Sequence, residues 1–341
     1  MSKTLITGAS GFIGRHLAAQ LACEHSVIAL GRSPVDGPWE QFITYDVASG
    51  VALPDSALEG VNTLFHLASK AHALSEKVGA VDGYDEVIVE GTTAVVRAAE
   101  HAGVRALVYL SSVKAMGEGG DRLVQTKPID EAASTTPSTP YGKAKLAAER
   151  IVFASAIPHV VILRPVMVYG PGHKGNLDRM AEAIRRKRFP PIAENGNRRS
   201  MVHVDNLTKA CIAVANAPAT NRKTYILAEP NPRSTRQLYD QLRVEMGLPA
   251  VQWSIPGCLL KVAALGGDLL GRLSGRRMPL DSDSLQKLLG SAWYDGSAIE
   301  HDTDFRYRES HALINAPQSG EWWESGKVGR YEGGKVKKLS R

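Results

Sequence analysis

Three residues into the chain the run "TLIT" leads into "GASGFIG", and Gly8, Gly11 and Gly14 fall between it and the amphipathic stretch "FIGRHLAAQLA". Glycines at these spacings let the backbone turn tightly and come close to a diphosphate, whose charge the free amides of a helix N-terminus accept. A glycine triplet alone is a weak signal. Placed after a strand and opening a helix, it predicts a strand–turn–helix unit that holds a dinucleotide, with Ser10, Phe12 and Ile13 joining the three glycines as contacts.

The pattern continues in kind. "SVIAL", "QFITYDV", "NTLFHLAS", "ALVYLSS" and "VVILRP" read as buried strands, while "EVIVEGTTAVVRAAEHAG" and "YGKAKLAAERIVFASA" read as helices between them. Strand and helix in alternation predict an α/β fold, a Rossmann-type doubly wound parallel sheet with helices on both faces. Past Arg164 the rhythm breaks into loops, a basic helix at "LDRMAEAIRRKR", a strand at "MVHV" and helices at "DNLTKACIAVANA" and "TRQLYDQLRVEMG". The expected division is a NAD(P)-binding domain over 1–165 and a smaller C-terminal substrate-binding region over 166–330. Residues of about 200–230 are expected to return to the first body, and 331–341 to form a loose basic tail.

An acidic residue at the end of the second strand would accept ribose hydroxyls and select NAD. Here that strand ends "IALGRS", with Gly31 in the acidic position and Arg32 behind it. An arginine there can hold a ribose 2′-phosphate, so the expectation is NADP(H) over NAD(H). The other reading leaves Arg32 in solvent. Asp46, followed by Val47 in "YDV", is placed for the adenine amino group.

The formal charge of +6 is concentrated in "RRKR", "GRR" and the final "GKVKKLSR". Such a balance suits acidic partners: phosphorylated small molecules, anionic lipid or nucleic acid. No aromatic residues interleave with the basic ones, so nucleic acid is set aside. Cys23, Cys211 and Cys258 have neither metal-ligand nor redox spacing and read as small core hydrophobes. The histidines are scattered and no metal site is expected. "MSKTLITGAS" enters a strand at once, which leaves no room for a signal sequence and implies a cytoplasmic protein. "IPGCLLKVAALGGDLLGRL" is interrupted by Lys261, Asp268 and Arg272, too often for a membrane span. It reads as an amphipathic helix that packs on the body, or that lies on a membrane surface near Arg276 and Arg277; packing is preferred.

In "TPYGKAKLAAER" Thr139 can cap a helix and Pro140 suits its first position. Tyr141 and Lys145 then stand one turn apart on one face. They are either an exposed aromatic beside a solvated lysine or a phenol whose proton an ammonium loosens. These residues alone leave both readings open.

Together the motifs resemble the extended short-chain dehydrogenase/reductase family, in its nucleotide-sugar branch, from Thr4 to about Asp205 and more loosely to about Arg308. "TGASGFIG" looks like that family's dinucleotide loop. "FHLAS" looks like its fourth strand, where Leu67, Ala68 and Ser69 would flank the cofactor. "YLSSVKAMGE" carries its active-site serine at Ser112, and "YGKAK" its Tyr-x-x-x-Lys pair. The resemblance implies that Tyr141 exchanges the proton on a sugar oxygen and that Ser112 hydrogen-bonds the same oxygen. Lys145 would lower the phenol's pKa and bind the nicotinamide ribose. It further implies that Asn176 and Leu177 cover a nucleotide diphosphate, that Arg199 grips it, and that Pro191 and Ile192 line the base slot. Members often dimerise, so a homodimer is expected.

Three departures from the pattern involve four positions. Val113 and Lys114 stand where dehydratases carry an Asp-Glu pair, so dehydration is excluded. Ile88 replaces an asparagine of the cofactor floor, and Met167 a polar residue near the diphosphate. The combination looks most like the 4-ketoreductases that convert UDP-4-keto-6-deoxy-N-acetylglucosamine to UDP-N-acetylquinovosamine for surface polysaccharide. UDP-hexose 4-epimerases that act on UDP-glucose or UDP-N-acetylglucosamine share the same catalytic residues. A 3β-hydroxysteroid-type dehydrogenase and a non-catalytic dinucleotide sensor are more remote alternatives.

Overall fold

A computed structural model describes residues 2–70, 83–117, 125–173, 175–274, 281–309 and 312–314, with three strand segments between 321 and 338. Seven parallel strands form the central sheet. They are β1 (Lys3–Thr7), β2 (Ser26–Gly31), β3 (Gln41–Thr44), β4 (Val61–His66), β5 (Ala106–Leu110), β6 (His159–Pro165) and β9 (Lys223–Leu227). Their order across the sheet is β3-β2-β1-β4-β5-β6-β9. The chain runs outward from β1 to β3, then returns to pair β4 on the other side of β1. This reversal opens a crevice at the carboxyl ends of β1 and β4, where doubly wound sheets bind ligands.

The strands read as continuous apolar runs because both faces are covered. On one face Ile6, Phe65 and Val108 pack under α1 (Phe12–Leu21) and α5 (Val204–Asn216). On the other, Leu5, Leu64 and Leu107 pack under α2 (Gly91–His101) and α3 (Pro140–Ala154). The alternation Leu5 against Ile6 is the period of two that sends neighbours to opposite faces.

Beyond β6 two short strands, β7 (Met167–Tyr169) and β8 (Met201–His203), pair in parallel. Then α4 (Asn176–Arg185) and α6 (Thr235–Glu245) enclose Tyr169, Leu177, Ile184 and Leu242. A further cluster joins Ile192 to Leu260 and Ala264 of α7 (Gly257–Ser274) and to Leu285 and Leu289 of α8 (Ser282–Leu289). Only one face of α7 is used in this way. α9 (Ala298–Asp302) packs against β9.

Two expectations change here. Cys211 is buried in α5, but Cys23 and Cys258 are exposed and are not core residues. Within 331–341, expected as a loose tail, β12 (Lys335–Lys338) pairs antiparallel with β11 (Lys327–Glu332), which in turn pairs β10 (Glu321–Glu324) ahead of that region. Arg276 and Arg277 lie outside the described residues.

Candidate active site

Thr7 ends β1 and His66 ends β4, and the two are linked side chain to side chain. Thr7 Oγ1 lies 2.7 Å from His66 Nδ1 and accepts the amides of Leu67 and Ala68 at 3.1 and 3.0 Å. This draws the β4 turn against the glycine loop, where Gly8 has φ of +69° and a Cβ would meet Ala68 N at 2.9 Å. A side chain there would push the two turns apart. Gly11, the N-cap of α1, offers no side-chain cap, and the helix has no acid in its first turn. The N-terminal amides of Phe12, Ile13 and Gly14 therefore meet no acid of the helix's own first turn and no capping side chain, which suits a dinucleotide diphosphate.

At the adenosine end, a Cβ on Gly31 would meet the Phe42 ring at 3.1 Å and Ser10 Oγ at 3.5 Å, so the position has little room for an acidic side chain. Arg32 beside it is exposed. Sequence reasoning passed over Arg15, which donates to Ser10 O and Asp36 O at 3.3 and 3.0 Å and lies over the Trp39 ring. Its signal was its place, directly after Gly14. Asp46 caps its own turn by accepting Ala48 N at 3.0 Å, and Val47 is buried against Gly91.

The candidate catalytic side chains gather at the end of β5. Ser112 opens a single 3₁₀ turn, Val113–Ala115, and accepts Lys114 N at 3.2 Å. Thr139 caps α3 by accepting Gly142 N at 3.2 Å, with Pro140 in the first position. A Cβ on Gly142 would meet Lys114 O at 2.4 Å, so glycine lets the two turns touch. That contact brings the Tyr141 hydroxyl into hydrogen-bonding relation with Ser112 and with Ser69. Burial pushes the phenol up to about 12, against the two serine bonds.

Lys145 behaves differently from the expectation that it would lower the Tyr141 pKa. It is 2 % exposed, and Nζ donates to Leu110 O at 2.8 Å and Tyr109 OH at 3.3 Å. Burial itself drags the ammonium down to about 7, which Glu149 partly opposes. In the observed geometry the lysine is anchored to β5, and the phenol keeps its proton.

Several contributors were missed. Tyr84, 3 % exposed, packs edge to face with Tyr141, the two ring centres 5.6 Å apart. Glu149 accepts Ser111 Oγ at 2.5 Å and both Arg164 Nε and Nη2, at 2.9 and 2.6 Å, in a buried fork. Its signal was spacing, four residues beyond Lys145 on the same stripe of α3. Arg164 stood as the one charge in an apolar strand. Ile88, expected in the cofactor floor, is 1 % exposed within a six-residue π-helical turn, Asp85–Glu90.

The residues expected on the substrate side are dispersed. Asn176 is exposed at the start of α4, while Leu177 and Ile192 point into the two C-terminal cores at 3 % exposure each. Pro191 accepts Ile255 N through its carbonyl at 2.9 Å. Arg199 donates to Lys287 O at 2.6 Å and Gly290 O at 3.4 Å, capping the end of α8. Among the described residues no group of three His, Cys, Asp or Glu side chains could hold a metal ion, and no helix is long and apolar enough to cross a membrane.

Residues 4–228 match the model of the NAD dependent epimerase/dehydratase family, and the chain belongs to that family. It is 27% identical over 298 residues to a UDP-glucose 4-epimerase of Vibrio cholerae, covering 85% of this chain and 86% of that one. It is 30% identical over 320 residues to a 2-alkyl-3-oxoalkanoate reductase of Stenotrophomonas maltophilia, covering 88% and 93%. The fold superposes on MoeE5 in complex with UDP-glucuronic acid and NAD with a TM-score of 0.69, at 23% identity and 90% and 94% coverage.

Proposed function

We propose that the protein is a NAD(P)-dependent oxidoreductase acting at C4 of a UDP-sugar, in the direction that reduces a 4-keto group. Its substrate would be UDP-4-keto-6-deoxy-N-acetylglucosamine, reduced to UDP-N-acetylquinovosamine. The observation that carries the reading is the placement of the Tyr141 hydroxyl, buried at the end of β5 and hydrogen-bonded with Ser112 and Ser69. Reduction of a ketone needs a proton donor at the oxygen, and a phenol near 12 is one at neutral pH. Val113 and Lys114 supply no acid–base pair for dehydration.

The glycine loop, the Leu67–Ser69 turn, Asp46, Val47 and Lys145 would hold the dinucleotide, whose nicotinamide supplies the hydride when bound. Ser112 orients the sugar oxygen and Tyr141 protonates it. Lys145 would hold the nicotinamide ribose once its bonds to Tyr109 and Leu110 rearrange. Gly31 and exposed Arg32 favour NADP(H). The uncharged setting of Leu177 and Ile192 leaves Asn176 as the polar candidate toward the diphosphate.

A second reading, a UDP-hexose 4-epimerase with retained NAD, is favoured by the likeness to the Vibrio cholerae epimerase. The experiment that separates the two mixes purified protein with UDP-4-keto-6-deoxy-N-acetylglucosamine and follows nicotinamide absorbance, with NADPH and NADH supplied separately. Stoichiometric oxidation supports the reductase. Lack of oxidation with either, together with interconversion of UDP-glucose or UDP-N-acetylglucosamine without added cofactor, supports the epimerase.

A further inference from the structure

Among the described residues apolar exposure is concentrated in one place. Of the large hydrophobic side chains that stand well out of the surface, Leu259, Val262, Leu265, Leu269 and Leu270 all belong to α7, each 57–67 % exposed, and Trp253 precedes the helix at 62 %. At 3.6 residues per turn these five side chains fall on one broad stripe. The stripe lies opposite Leu260 and Ala264, which pack into the core with Ile192, Leu285 and Leu289. The helix is thus apolar on two faces, and only one is satisfied by the fold. An isolated exposed leucine needs no explanation, but a continuous face of this size marks a contact surface.

Charge identifies the occupant. Lys261 and Arg272 are both exposed and border the stripe along the same edge. The acid on the helix, Asp268, is turned to α8, where it accepts Ser282 N at 3.1 Å and Ser282 Oγ at 2.5 Å. Asp268 also faces Arg272, one turn further on, so the edge carries two cations and one carboxylate and keeps a net positive charge, with Lys261 its cation away from the acid. Pairing α7 antiparallel with a second copy would bring each Lys261 near the copy's Arg272, like charge against like. A helix with an apolar stripe, a cationic edge and a flanking tryptophan suits the interface of an anionic bilayer, where side chains enter the acyl boundary and cations meet phosphate.

We propose that the outer face of α7 docks this protein on the surface of an anionic lipid bilayer. The helix lies in the plane of the interface, with Val262, Leu265 and Leu269 supplying the apolar contacts, and its inward face stays packed on Ile192. The inference is independent of which substrate the active site takes.

The test is co-sedimentation of the full chain with vesicles of phosphatidylcholine alone and of phosphatidylcholine mixed with phosphatidylglycerol. Binding is expected to the mixed vesicles, to weaken with salt, and to fall about tenfold or more in a Leu265→Gln/Leu269→Gln variant. Lys261→Gln/Arg272→Gln should remove most of the preference for phosphatidylglycerol. Both pairs are exposed, so thermal melting should be unchanged and reports whether the variants are folded. Failure of the wild-type chain to bind mixed vesicles overturns the proposal, as does binding that both variants retain in full. A wild-type dimer that Leu265→Gln/Leu269→Gln converts to monomer, without vesicle binding, would assign the face to a second copy instead.

Discussion

The ammonium of Lys145 donates to the hydroxyl of Tyr109 at 3.3 Å and lies 4.9 Å over the centre of its ring. Both side chains are buried, one on α3 and the other near the end of β5. The lysine that shares a helical face with Tyr141 is thus committed to the sheet. Its charge is not what governs the Tyr141 phenol in this geometry; burial and the two serines are.

Replacing Tyr141 with Phe removes the proton donor and leaves the ring in place beside Tyr84. Turnover with a 4-keto sugar should fall about a thousandfold, while dinucleotide affinity stays near that of the wild type. Steady-state kinetics and a cofactor titration measured on one preparation check both halves. Near-normal turnover would falsify the assignment of Tyr141 as donor.

Glu149 holds two groups that matter, Ser111 next to Ser112 and the buried guanidinium of Arg164. With Glu149→Gln the cation loses its counter-charge inside the protein, a change that costs about 3–5 kcal/mol. Urea unfolding should show the midpoint moving down with an unchanged slope. Glu149→Gln combined with Arg164→Met should recover part of the loss, because no unpaired charge remains.

What the sequence made legible follows from range. The glycine loop, the strand rhythm and the Thr139 cap are local, and each is set by neighbours within a few residues. Arg199 meets Lys287 O across 88 positions, so nothing in "RRSMVHVD" could announce that partner. Leu177 and Ile192 were ambiguous for another reason: an apolar residue suits a base slot and a core equally well. The α7 stretch reads as an amphipathic helix, yet which face the body covers is decided by Leu285 and Leu289 of a separate helix.

Arg32 is exposed at the end of β2, next to a glycine whose Cβ direction is closed by Phe42 and Ser10. If it holds a 2′-phosphate, Arg32→Ala should weaken NADPH about tenfold to a hundredfold and spare NADH, the span expected for hydrogen bonds to a charged group. Fluorescence titration with both nucleotides decides it. Equal losses for the two would remove Arg32 from phosphate recognition.

The last prediction concerns acid. Thr7 Oγ1 already accepts two amides, Leu67 and Ala68, so its own proton points to His66 Nδ1, at 2.7 Å. Nδ1 is therefore the acceptor, and Nε2 donates to Thr92 Oγ1 at 3.0 Å. Protonating His66 would place a second hydrogen in the Thr7 contact and a charge in the core. Burial, and next the Lys145 charge, hold its pKa down to about 3 from 6.5. Between those values the unfolded chain binds a proton that the fold refuses, so stability must fall as pH drops through that window. Melting temperature should decline from about pH 6.5 to about pH 5, above the range where most carboxylates titrate. His66→Asn should start lower and show a shallower decline over the same interval. Parallel declines in the two proteins would mean that the acid sensitivity lies elsewhere.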